Sequence, residues 1–79
     1  MSKELQKVGI KQAVKIGMAI EKMTMDEVAR GTGREVSTLS GMLGRGTPSL
    51  KSTVSIFEML NAKLIVKYNN GQEVELIIE

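Results

Sequence analysis

The chain has 79 residues, 42% of them hydrophobic, with no Cys, no His, no Trp and a single Phe and Tyr, so one domain with an ordinary apolar core is expected, unstapled by disulfides. Zinc fingers, haem ligation and thiol nucleophiles are excluded by the missing Cys and His, and two aromatics are too few for a surface that stacks single-stranded bases, which leaves duplex nucleic acid open. The net charge of +2 is uneven: residues 1–23 carry +3, residues 24–46 are neutral and residues 47–79 carry −1, so a polyanion would meet the front of the chain.

The first predicted element is an amphipathic helix over much of residues 3–22. Lys3, Lys7, Lys11 and Lys15 recur every four residues and share one broad face. Leu5, Val8, Ala13, Ile16, Ala19, Ile20 and Met23 fall opposite and are expected to be buried, while Gly9 and Gly17 each weaken the helix by up to about 1 kcal/mol relative to Ala. The lysine strip reads either as a solvated face or as a strip that meets phosphate. Ile10, Val14 and Met18 fall among or beside the lysines, which points to a partner contact or to a helix shorter than the full span.

Thr24 followed by Glu27 forms a capping box, with Met23 and Val28 as its hydrophobic staple. The helix it opens runs to about Arg30, where Gly31 and Gly33 break it, Gly33 being suited to a left-handed turn. Val36, Leu39, Met42 and Leu43 then give a second short helix from about Glu35 to Leu43, stopped by Gly44 and Gly46. Thr32 and Glu35 also match a capping box, but two glycines before an apolar-periodic run are more economically a link between helices. Thr47, Pro48 and Ser49 form an extended bend, with Ser49 capping a further helix whose buried face is Leu50, Val54, Phe57 and Leu60 and whose C′ residue is Asn61.

Beyond Asn61 the period changes from helical to alternating, which predicts a β-hairpin. A two-residue turn at Asn70 and Gly71 would pair Val66 with Glu75 and mix charges with core residues on one face. A three-residue loop over residues 69–71, with Gly71 left-handed, pairs Val66 with Val74, Leu64 with Leu76 and Lys67 with Glu73, and is favoured. Leu64, Val66, Tyr68, Val74, Leu76 and Ile78 then face the helices, and Ile65 and Ile77 lie outside.

Two helices joined by a short Gly-containing turn form a helix-turn-helix pattern. Residues 24–46 resemble the helix-turn-helix of the lambda-repressor-like family, the Xre or Cro/CI-type regulators. Val28 and Ala29 match in the first helix, Gly33 in the turn, and Leu39 and Met42 on the buried side of the second; the helix before and the bend through Gly46, Thr47, Pro48, Ser49, Leu50 and Lys51 extend the resemblance over residues 8–61. It implies a mainly α, four- to five-helix lambda-repressor-like DNA-binding domain with a C-terminal β-hairpin. Residues 1–79 are then one domain, with a helical core over 1–61 and a hairpin over 62–79 serving as dimerisation element or lid.

Carried onto this sequence, the family pattern implies base reading by Glu35, Val36, Ser37, Ser40 and Gly41. These lack the Asn, Gln or Arg that reads adenine or guanine bidentately; Glu35 accepts from cytosine, Val36 meets a thymine methyl, and Ser37 and Ser40 bond either. Two positions depart from the pattern. Met25 stands where a phosphate-bonding Gln is common, and Arg34 where an apolar residue is common. Specificity is therefore expected to lean on Arg34 and on DNA shape, with phosphate contacts from Arg45, Thr47, Ser49 and Lys51, helped by Lys15 or Lys22. For Thr24 and Ser49 capping is the simpler use.

The expected function is a sequence-specific duplex-DNA-binding transcriptional regulator, a dimeric prokaryotic or phage-type repressor, with Ile65 and Ile77 as dimer or partner contacts that cover the hairpin's open surface. The alternative is an antitoxin-like or adaptor module that binds a toxin-like or other protein through the same scaffold and an exposed Ile10, Val14, Met18, Ile65 and Ile77. No enzyme activity, metal or cofactor is expected, because the Gly31–Gly33 and Gly44–Gly46 patterns are too short for phosphate loops and neither follows a predicted strand. No segment has the length and apolarity of a membrane span or the apolar centre of a signal peptide, so the expected location is the cytoplasm.

Overall fold

Residues 6–46 and 48–78 are described by a computed structural model, in the order α1 (Ile10–Glu21), α2 (Met25–Gly31), α3 (Val36–Arg45), α4 (Leu50–Met59), β1 (Leu64–Lys67) and β2 (Glu73–Leu76). It is a small, mainly helical protein with a two-stranded antiparallel hairpin at its C-terminal end. No helix among the described residues is long and apolar enough to cross a membrane.

α1 begins at Ile10, later than the lysine spacing suggests: Gly9, a poor residue for a helix interior, takes an extended conformation (φ −77°, ψ 173°) and serves as the N-cap. The late start turns the buried face away from the expected one, although Ala13 and Met23 still pack against the core as expected. With Val8 outside the helix and exposed, the series Ile10, Ala13, Val14, Gly17, Met18 sets the inner face: Val14 is fully buried, and Ile10, Ala13 and Met18 pack against the core. Ile16 and Ile20, expected inside, are exposed, Ile20 at 70%. Of the two readings of Ile10, Val14 and Met18, the shorter helix holds and the partner surface is corrected, since Val14 is in the core and Ile10 and Met18 pack against it. Gly17 sits where α1 crosses α4, and a Cβ there would lie 3.0 Å from Leu60 Cδ1.

At the start of α2 the capping box forms as expected: Thr24 N–H donates to Glu27 Oε1 at 2.9 Å, and Glu27 N–H donates to Thr24 Oγ1 at 3.2 Å. Its end is a Schellman turn. Gly33, at φ 71°, donates from its N–H to Arg30 O at 3.1 Å, and Arg34 N–H reaches back to Ala29 O at 2.8 Å. Thr32 Oγ1 donates to Val28 O and Ala29 O, so its hydroxyl closes α2, and the competing capping box with Glu35 does not form. α3 continues through Gly44 and stops at left-handed Gly46, two residues beyond the expected end.

Ser49 caps α4, its Oγ accepting from Ser52 N–H at 3.1 Å, and a second Schellman turn at Asn61 (φ 56°) ends it, with Asn61 N–H on Glu58 O and Ala62 N–H on Phe57 O. α4 packs against both α1 and α2 and so buries a wide face: Thr53, Val54, Ile56, Phe57 and Leu60. Two neighbours bury Ile56 fully, which a single-stripe reading omits, and leave Leu50 at 61% exposure, where burial was expected. The core is Val14, Val28, Ala29, Leu39, Leu43, Ile56, Phe57 and Leu60. Burying a Leu or Ile of this kind contributes on the order of 2 kcal/mol.

The hairpin has the three-residue-loop register: Leu64↔Leu76, Ile65↔Glu75, Val66↔Val74 and Lys67↔Glu73. Tyr68 N–H donates to Gln72 O at 2.8 Å, Gly71 N–H to Tyr68 O at 3.0 Å, and Gly71 takes φ 90°. Leu64 packs on the helical core, and Leu76, Ile77 and Ile78 run beside Leu50, Lys51 and Val54 of α4, framing a groove of about 270 Å³. Tyr68 is exposed, a correction to the expectation that it faces the helices, whereas Ile78, though partly exposed, lies on the α4 side as expected. The Cα radius of gyration is 13.4 Å against about 12 Å for a compact chain of this length, consistent with a hairpin that meets the helices mainly at its base.

Candidate nucleic-acid interface

Because α3 points Leu39 and Leu43 into the core, with Met42 beside them, its helical period turns Ser37, Ser40, Gly41 and Gly44 outward. Ser37, Ser40 and Gly44 are exposed and Gly41 half so. Glu35 and Val36 are exposed at the front of the same helix. Five of the six expected base-reading positions therefore come together on one uncovered surface. Its relief is low: a Cβ on Gly44 would meet nothing within 4 Å, and one on Gly41 only Arg45 Nη1 at 3.6 Å.

Arg34, the sixth position, stands apart. It is half-buried, with Nη1 donating to Thr32 O at 3.3 Å and Nη2 to Ser52 Oγ at 2.9 Å. Ser52 was not singled out from the sequence. Its spacing from the N-cap Ser49 was visible there, but the bond to a residue 18 positions earlier was not.

Of the expected phosphate contacts, Arg45 is exposed at the end of α3 and Lys51 is exposed in the first turn of α4. Thr47 lies outside the described residues. Ser49 is occupied as a cap, its hydroxyl donating to Ser52 Oγ at 3.0 Å while accepting from Ser52 N–H. Lys15 is exposed on α1, and Lys22 is exposed at its left-handed C-terminal end, φ 55°. Met25 is half-buried against the core.

Several carboxylates of the helical part are engaged locally. Glu27 serves the capping box, Asp26 pairs with Arg30 at 3.0 Å, and Glu21 Oε1 accepts from Asn61 Nδ2 at 2.7 Å. Lys11, Lys15, Lys22, Arg45 and Lys51 make no salt bridge among the described residues. On the hairpin Ile65 and Ile77 are exposed as expected, with the Lys63–Glu75 pair between them at 3.7 Å. Among the described residues no group of three or more His, Cys, Asp or Glu side chains is placed to hold a metal ion.

Comparison with known protein families, with curated proteins and with solved structures found no match to this chain.

Proposed function

We propose that the protein is a duplex-DNA-binding regulator of the lambda-repressor-like kind, with α3 as the helix that enters the major groove. The observation that carries this reading is the outward face of α3. Two glycines stand inside an exposed helix, where each costs up to about 1 kcal/mol relative to Ala, and the packing around them does not require their small size. A surface kept this low suits close approach to base edges. Glu35 and the hydroxyls of Ser37 and Ser40 supply polar groups to read them, and Val36 an apolar contact. Arg45 and Lys51 flank that face in sequence and supply charge for phosphate.

The same reading includes a homodimer, which sets two α3 helices about 34 Å apart on the duplex. It is supported by the unpaired backbone edges of the hairpin strands and by the exposed Ile65 and Ile77, which a second copy would cover. Its setting is a cell interior where DNA is accessible, the cytoplasm of a prokaryote. A second reading, a module that binds another protein, draws on one observation: Ile16 and Ile20 are exposed on α1. Selection of bound duplexes from a random library tests the first reading. Enrichment of a palindrome supports it, and recovery of an unselected pool counts against it.

A further inference from the structure

We propose, building on the DNA-binding reading, that Arg34 is a positioning residue that holds the front of α3 to the first turn of α4, and that it is not a base-reading side chain. Arg34 lies between left-handed Gly33 and Glu35, the N-cap of α3. Both terminal nitrogens of its guanidinium are engaged inside the protein: Nη1 on Thr32 O at 3.3 Å, in its own turn, and Nη2 on Ser52 Oγ at 2.9 Å, in α4. Ser52 Oγ also accepts from Ser49 Oγ at 3.0 Å, and Ser49 Oγ in turn takes Ser52 N–H at 3.1 Å. A continuous hydrogen-bonded path thus runs from the turn before α3 to the cap of α4.

Arginine donates in a rigid planar fork and accepts nothing, so these two partners in different directions fix the plane of the group. Swinging it toward a base edge would break both bonds, one of them to a hydroxyl that the charge makes a stronger partner than a neutral donor would. The tie has a functional consequence. Glu35, Val36 and Ser37 follow Arg34 directly and Lys51 precedes Ser52 directly, so the groups that face bases and one that faces phosphate are held in a single relation. Base selectivity then rests on Glu35, Val36, Ser37 and Ser40.

The test uses the full chain as wild type, R34A, S52A and the double variant. Three quantities are read: urea unfolding, affinity for the duplex pool enriched by the wild type at a temperature where every variant is folded by circular dichroism, and base-pair preference after each variant re-selects from the random library. The expected result is that R34A and S52A each weaken binding by about three- to tenfold, that the double variant is no weaker than R34A, and that preferences at individual base pairs are unchanged. Loss of preference at one base pair in R34A, with S52A behaving as wild type, overturns the proposal in favour of base reading. Coupling in unfolding with unaltered affinity overturns it in favour of a scaffold bond alone. If the wild type enriches no duplex, the DNA reading falls and the role assigned to Arg34 falls with it, while the unfolding cycle separately reports whether the two residues act as a unit.

Discussion

Asn61 Nδ2 donates to Glu21 Oε1 at 2.7 Å, fastening the end of α4 to the end of α1 across 40 positions of sequence. Asn61 is also the left-handed residue that closes α4, at φ 56°. It therefore joins a local role, turning the chain toward the hairpin, to a long-range one, holding the two helices whose crossing is built around Gly17 and Leu60. The two roles separate by substitution. N61A loses the bond and puts a Cβ-bearing residue without a local hydrogen bond in left-handed space, and should lower stability by about 1–2 kcal/mol; N61G loses only the exposed bond and should stay under about 1 kcal/mol. Urea denaturation of both variants measures the difference.

α1 offers a sharper contrast. Val14 is fully buried and Ile20 is 70% exposed. V14A should cost about 2 kcal/mol through lost burial and a cavity, and I20A less than about 0.5 kcal/mol. The midpoints of thermal or chemical unfolding check this directly. The reverse order would restore the lysine-opposed face to the core.

The glycines on the outer face of α3 separate folding from binding. G41A and G44A should each raise stability by about 0.5–1 kcal/mol, because a methyl is tolerated at both positions and the helix gains propensity. Affinity for duplex DNA should fall severalfold in the same proteins if the face lies close to the bases. Calorimetric unfolding and anisotropy titration, run side by side, read the two effects.

The hairpin bears on assembly. Sedimentation equilibrium at micromolar concentration should return the mass of a dimer for the wild type and of a monomer for I77E, which sets a charge on the exposed strand end beside the α4 groove. A monomeric wild type rules the dimer out.

What could be read from the residues was mostly local. The capping box at Thr24, left-handed Gly33, the Ser49 cap, the Asn61 termination and the hairpin register each depend on a few neighbours in sequence, and each is present in the fold. The facing of α1 was not legible. Val8, Ile16 and Ile20 weighted the wrong side, and only a start at Ile10 takes Val8 out of the helix; Met23 does pack on the core, and Leu5 lies outside the described residues. Leu50 and Ile56 exchanged places because α4 is contacted from two sides, a tertiary fact. The candidate site divides in the same way. Ser37, Ser40 and Gly41 follow from helical period, whereas the bond from Arg34 to Ser52 needed two segments brought together by the core.

Binding of duplex DNA by the α3 side of the molecule is read most directly by an anisotropy titration of the full chain against random-sequence duplex over a series of salt concentrations. Saturable binding is expected at low salt, with log K falling linearly against log salt at a slope steeper than about −2, each neutralised phosphate contributing about −0.9. K51A should weaken binding to all sequences alike and reduce that slope by about 1. No binding at low salt with protein at about 100 µM, the tight end of ordinary non-specific affinities being roughly a hundredfold lower, would contradict it.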